Sequence, residues 1–194
     1  MTSPSTNDPV GPHLLAAVAR AEPDSLDSWY RREHPIVYRL CFGFLADATE
    51  AEDASQDAML KLADRLRSYD PGRPYPAWRN TVVLNHCRDV LRRGATRRQA
   101  EHAAPRQLPA ALPTRPDEAA AAGEIRELLH RALAHLTPRE REAFVLRDLE
   151  GRPTSEAALV LGVGESSVRS LLTLARRRLR QLLGDRLAVG GRPV

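Results

Sequence analysis

Lysine is nearly missing from this 194-residue chain: Lys61 is the only one, and the other 28 basic side chains are arginines. Cysteine is scarce as well. Cys41 and Cys87 cannot form a disulfide framework and fit a reducing cytosol. Aromatic residues make up only 5% of the chain, so a core must be built mainly from Leu, Val and Ala, which favours helices over a β-sandwich. No apolar run approaches the ~18 residues of a membrane span, and no membrane insertion is expected. Met1 to Pro12 carries neither a basic start nor an apolar stretch, which argues against a secretory signal. Phosphate-binding glycine loops, zinc-spaced Cys/His sets and an H-E-x-x-H pattern are absent. His130 and His135 lie five apart and do not share a helix face well, and His86-Cys87 reads as a helix-surface His beside a partly buried Cys. No enzyme, metal or cofactor is expected.

What the chain does have is charge in blocks. The formal net charge is only +4, with a pI of about 9.6, so distribution matters more than size. Arg79 to Arg98 holds six arginines and one acid. Ser166 to Arg186 repeats that balance, again with six arginines and one acid. Asp47 to Asp57 holds five acids and no base. Each run read alone is a solvated helix face. Two basic runs ending two separate helical units are a stronger signal.

The helical pattern is interrupted by proline and glycine along the chain. Residues 1–12, with Pro4, Pro9, Gly11 and Pro12, read as a disordered tail. His13 to Arg20 is a short helix candidate. Leu26 to Leu45 carries an apolar stripe with Pro35 as a possible bend, and Thr49 to Leu66 carries another through Ala54, Ala58, Met59, Leu62 and Leu66. Asp70-Pro71-Gly72 breaks the helix, and Pro76 or Ala77 opens the next, which runs to about Arg93. Between 99 and 122, Pro105, Pro109, Pro113 and Pro116 mark a linker, which as a coil would span roughly 25–30 Å. The helical stripe returns at Glu124 with Ile125, Leu128, Leu129, Leu133 and Leu136. Thr137-Pro138-Arg139-Glu140 is a capping box with Pro at the first helical position, and Gly151 ends that helix. The fold class is therefore all-α: two small helical domains, 13–98 and 123–188, with a flexible linker between them and a tail at 189–194.

Thr154 to Arg178 has the spacing of a helix-turn-helix. Ala158 is small at the crossing, Gly162 suits the left-handed turn, and Val168 anchors a second helix that starts near Gly164 or Glu165 and runs past Leu183. Its exposed face would offer Ser166, Ser167, Arg169, Ser170, Thr173, Arg176 and Arg177. The small groups can approach base edges, and the arginines can grip phosphates. An ordinary helical hairpin would carry the same glycine turn.

At this point the chain resembles a bacterial sigma factor of the extracytoplasmic-function type, which keeps only sigma domains two and four. The resemblance rests on Trp29-Tyr30-Arg31-Arg32, Pro35 to Leu40, Ala51-Glu52-Asp53-Ala54-Ser55-Gln56-Asp57, Tyr69 to Pro74 and Ala77-Trp78. It continues through Asn85, Asp89 and Leu91-Arg92-Arg93, then Leu136 to Glu142, Leu146 to Gly151 and the helix-turn-helix. The resemblance implies an RNA polymerase subunit that recognises promoters. Asp53, Gln56, Asp57 and Leu60, with Lys61 adjacent, would dock on the clamp helices of the largest polymerase subunit. Domain four would meet the flap of the second-largest subunit. Tyr69 and Tyr75 would rim a pocket for an unstacked minus-ten base, with Arg79, Arg88, Arg92 and Arg93 on the strand backbone and Asn80 and Asn85 as polar contacts. Trp78 reads as core rather than as a wedge. The helix-turn-helix would read the minus-thirty-five element in duplex promoter DNA, and an anti-sigma protein is an expected partner. Leu171, Leu174, Gly164, Asn80-Thr81 and Leu84 depart from the family pattern and leave the promoter sequence open. A sigma-mimicking protein that sequesters a regulator, and a helix-turn-helix repressor, are the other readings. The acidic segment argues against the repressor, and the basic helices against the mimic. Whether the two domains pack together or stand apart is also open.

Overall fold

The protein is described by a computed structural model covering residues 10–100, 128 and 131–190. Most of the expected linker, residues 1–9 and 191–194 of the tails, and the stripe positions Ile125 and Leu129 lie outside the described residues. The described chain contains α1 (Pro12–Ala19), α2 (Pro23–Leu45), α3 (Ala48–Arg65) and α4 (Tyr75–Ala100). It continues with α5 (Pro138–Phe144), α6 (Thr154–Leu161) and α7 (Glu165–Gly190). Among the described residues there is no strand.

Local chemistry accounts for where these helices begin and end. Proline sits in the first turn of α1 and α2, where a missing N–H costs no intrahelical bond. α2 starts three residues earlier than its apolar stripe suggests and continues unbroken past Pro35. It ends where Ala46 takes a left-handed conformation, φ 52°. Asp47 then caps α3, its Oδ1 accepting from the Glu50 amide at 2.9 Å. A 3-10 turn, Leu66–Ser68, follows α3. Asp70 Oδ1 accepts from the Gly72 amide at 2.9 Å, which tightens the loop before α4. α4 extends through residues 99 and 100, past the expected start of the linker.

The first domain is built on α2. Trp29, Val37, Leu40, Cys41, Phe44 and Leu45 lie along its buried face. α3 presents Ala51, Ala54, Ser55, Ala58, Met59 and Leu62 to it, and the small residues let the helices approach closely. α4 closes the bundle with Val82, Val83, Leu84 and Cys87.

The second domain follows the expected cap. The Thr137 hydroxyl accepts from the Glu140 amide, and Glu140 Oε2 accepts from the Thr137 amide at 3.0 Å. The helix does not continue regularly to Gly151. A π-turn at Val145–Leu149 intervenes. Arg147, within that turn, donates through Nη1 to the Arg152 carbonyl just beyond it. α6 and α7 meet at a bend of 98°. The turn is made by Gly162 at φ 69°, a conformation that costs an L-residue roughly 1–2 kcal/mol. The Val163 amide donates back to the Ala158 carbonyl at 3.1 Å.

The two domains pack against each other. One apolar cluster runs from Phe44, Leu45, Val83 and Cys87 into Ala143, Val145, Leu146 and Ala157. A Cβ on Gly43 would lie 2.8 Å from Val145 Cγ2, so glycine is needed for α2 to meet the π-turn. The buried Arg141 guanidinium donates to the carbonyls of Phe44 and Leu45, at 3.3 and 3.0 Å, just where α2 ends and its carbonyls lack helical partners. A second cluster, Ala132, Leu133, Leu136, Ala175 and Leu179, holds the start of the second domain against α7.

Candidate polymerase and nucleic-acid interfaces

Three surfaces carry the candidate residues. On α3, the alanine-rich face turns inward and leaves Asp53, Gln56, Asp57 and Leu60 exposed. Leu60 is 67% exposed, a large apolar side chain among acids and an amide. That composition suits a docking surface with a desolvated centre and a polar rim.

Lys61 is half-buried rather than free. Its ammonium lies 2.6 Å from His86 Nδ1 on α4. An ammonium has no lone pair, so it donates and Nδ1 accepts. The imidazole is thereby neutral, with its proton on Nε2, 3.9 Å from Asp57 Oδ2. Burial, and then the Lys61 charge, hold the His86 pKa below its ordinary value. His86 is 2% exposed, so it is an interior residue and not the surface histidine expected. Its neighbour Cys87 is fully rather than partly buried, with Sγ 3.7 Å from Cys41 Sγ. No short-range signal marks His86: its partners lie 25 and 29 residues earlier, on another helix.

The second surface is the minus-ten candidate, and here the structure departs from expectation. Tyr69, Tyr75 and Trp78 form an aromatic trio with ring centroids 5.1–5.7 Å apart. Tyr69 and Trp78 are half-buried. Tyr75 is buried, and its hydroxyl accepts from Trp29 Nε1 at 3.0 Å. Arg79 and Asn80 are not on the surface. The Arg79 guanidinium is 3.4 Å from Glu33 and donates twice to Asn80 Oδ1 at 3.1 Å. A buried guanidinium needs these partners, and satisfying it internally removes both residues from the exposed strip. Glu33 is the residue that sequence reasoning missed. It stands four after Trp29 and four before Val37, on the buried stripe itself, and that position is its only signal. Burial raises the Glu33 pKa, and Arg79 pulls it back down.

Asn85, Arg92 and Arg93 remain exposed on α4. Arg92 pairs with Asp89 at 3.1 Å, and Arg93 donates to the Asp89 carbonyl. Arg88 points to the other domain, where its guanidinium grips both carboxylate oxygens of Glu142 at 2.8 and 2.7 Å.

The third surface is the candidate recognition face of α7. Val168, Leu172 and Ala175 face inward. Ser166, Ser167, Arg169, Ser170, Thr173, Arg176 and Arg177 are all exposed. Arg169 is held by Glu165 at 3.2 Å, and the Thr173 hydroxyl donates to the Arg169 carbonyl. Arg176 makes a two-pronged pair with Asp148, at 2.8 and 2.6 Å, which raises its pKa further. Leu174 is 37% exposed, beside these polar groups.

Among the described residues no three His, Cys, Asp or Glu side chains converge on a metal-sized site. No single described helix is long and apolar enough to cross a membrane.

Known proteins resemble this chain in sequence and in fold. Residues 29–98 match Sigma-70 region 2, and residues 126–179 match Sigma-70, region 4. The chain is 34% identical over 173 residues to the ECF RNA polymerase sigma factor SigM of Mycobacterium tuberculosis, covering 88% of this chain and 83% of the relative. Among solved structures it resembles CnrH in complex with the cytosolic domain of CnrY (TM-score 0.64, 25% identity, 90% of this chain and 97% of that one). It also shares the fold of the sigma factor RpoE bound to the anti-sigma factor NepR from Bartonella quintana (TM-score 0.67, 21% identity, 81% of this chain and 96% of that one).

Proposed function

This chain belongs to the extracytoplasmic-function sigma factors of RNA polymerase, and we propose that it performs that function through the three surfaces just described. As a sigma factor it binds core polymerase and directs transcription initiation at promoters. The observation that carries the assignment of surfaces is the division of labour on α3. One face packs the bundle, and the other presents Asp53, Gln56, Asp57 and Leu60 to solvent. A repressor has no use for that face. Its acids and amide suit the arginines of a clamp-type coiled coil, and Leu60 supplies the apolar centre. Lys61 and His86 brace it from behind.

The α7 face reads the minus-thirty-five element. Ser166, Ser167 and Ser170 are short enough to reach base edges, and Arg169, Arg176 and Arg177 contact phosphates. Glu165 and Asp148 hold two of those arginines until DNA competes for them. Asn85, Arg92 and Arg93 form the accessible part of the minus-ten surface, with Tyr69 at the rim of the base pocket. Tyr75 supports that rim from inside, and Arg79 and Asn80 keep α4 in place rather than touching the strand. Domain four also meets the polymerase flap. The packed arrangement ties up Arg88, so the domains separate when polymerase is bound. An anti-sigma protein that favours the packed form is the partner that keeps the factor inactive.

The test is binding of core polymerase. Gln56→Ala combined with Asp57→Ala is expected to weaken binding at least roughly tenfold, since two interfacial polar groups are lost, while the helical signal and thermal midpoint stay within error. Unchanged affinity would remove the docking surface from α3.

A further inference from the structure

A cavity of about 930 Å³ opens between α1, α2, the loop before α4 and the second domain. It is strongly basic. Arg32, Arg67, Arg73, Arg79 and Arg152 line it, against one acid, Glu33. Glu33 is already committed to Arg79. Arg32 and Arg67 make no ion pair among the described residues. Among the described residues Arg32 Nε is shielded from solvent and has no hydrogen-bond partner; Arg152 Nε also makes no hydrogen bond, its ion-pair partner Glu156 lying 3.8 Å away. A half-buried guanidinium with an unsatisfied N–H is costly in a folded protein, and for Arg32, which has no ion pair among the described residues, an anion would supply the missing partner. Leu15, Ile36, Leu66 and the ring of Tyr69 add an apolar and aromatic part to the wall.

We propose that this cavity binds a free nucleoside polyphosphate. Forked guanidinium groups take phosphate oxygens two at a time, so Arg32, Arg67 and Arg152 hold the phosphates. The Tyr69 ring and the aliphatic wall hold the base. The volume lies in the range of small-molecule and cofactor sites and exceeds what an isolated phosphate fills. Arg152 belongs to the second domain and the other arginines to the first. The site is therefore whole only while the domains are packed, and its ligand stabilises the packed form over the separated one. A promoter strand offers the same phosphate-and-base chemistry, but it engages the chain after the domains have parted, when Arg152 is gone. The site shares Tyr69 with the minus-ten surface, but Arg32, Arg67 and Arg152 belong to none of the three promoter and polymerase surfaces, so the two assignments can fail separately.

Calorimetric titration of the whole chain, alone, with ATP, GTP, inorganic pyrophosphate and a single-stranded minus-ten oligonucleotide tests it without polymerase. ATP or GTP is expected to bind at one site and raise the thermal midpoint. Arg152→Gln and Arg67→Gln are each expected to weaken it roughly tenfold, the loss of one charged hydrogen-bonding group. Arg67 is exposed, so its replacement leaves the fold intact even if Arg152→Gln does not. Pyrophosphate should bind more weakly than either nucleotide. No nucleotide binding, equal binding by pyrophosphate, binding unaffected by both variants, or binding of the oligonucleotide alone would each overturn the proposal.

Discussion

Arg88 on α4 and Glu142 on α5 meet through two hydrogen bonds at 2.8 and 2.7 Å, 54 residues apart in sequence and on different domains. Arg139 adds a third bond to the same carboxylate at 3.3 Å. The pair draws a basic residue out of the minus-ten candidate strip and spends it on holding the domains together. Arg88→Ala should therefore loosen the packing and leave Glu142 short of partners in a buried setting. The expected cost is about 1–3 kcal/mol, read as a lower urea midpoint, with faster protease cleavage between the domains. An unchanged midpoint and cleavage rate would mean that the apolar contacts alone hold the domains.

Gly43 offers a cleaner probe of the same interface. Its missing side chain leaves room for Val145, and a Cβ there would come within 2.8 Å of one methyl and 3.0 Å of the other. Alanine at position 43 should favour separated domains, at a cost of about 1–3 kcal/mol for overpacking. Val145→Ala in the same chain should restore the packing. Small-angle scattering reads the outcome as an increase in radius for Gly43→Ala and a return in the double variant.

Glu33 and Arg79 make the complementary case inside the first domain. Both are nearly inaccessible, at 1% and 3%. Glu33→Ala would leave a buried guanidinium with only Asn80 to satisfy it, for which a loss of about 3–5 kcal/mol is expected. Chemical denaturation measures it. A loss below about 1 kcal/mol would show that water or another acceptor replaces the carboxylate.

These contacts explain what could and could not be read from the chain alone. The Thr137–Glu140 cap and the Gly162 turn are local: each needs residues only a few positions apart, so their chemistry is visible in the string. The acidic face of α3 is legible for the same reason, because helical spacing separates Ala54, Ala58 and Leu62 from Asp53, Gln56 and Asp57. Arg79, Asn80 and Tyr75 look like surface residues until Glu33 and Trp29 are set against them, 46 residues away in two of the contacts. The π-turn at 145–149 is equally hidden. Its shape serves the approach of Val145 to Gly43, a contact between domains.

Acid should destabilise the protein through His86. Burial and Lys61, and also Arg93, lower its pKa, while Asp57 and Asp89 work in the opposite sense. The unfolded chain takes up the proton near the ordinary value of about 6.5, and the folded chain only at lower pH. Between those two values the unfolded state binds more protons, so stability is full above about pH 6.5 and falls as the pH drops through the folded pKa. Protonation also removes the lone pair that accepts from Lys61. The difference in urea midpoint between pH 7.5 and 5.5 should be larger in the native chain than in His86→Gln. Equal differences would place the acid sensitivity elsewhere.

The most direct test of the whole account is transcription in vitro with core RNA polymerase, the purified chain and fragmented DNA from its own genome, with transcript starts sequenced. Discrete starts that appear only with the chain, preceded by two shared sequence elements and lost with Arg169→Ala together with Ser167→Ala, are the expected result. Starts that are the same with and without the chain, or polymerase that never binds it, would contradict the account.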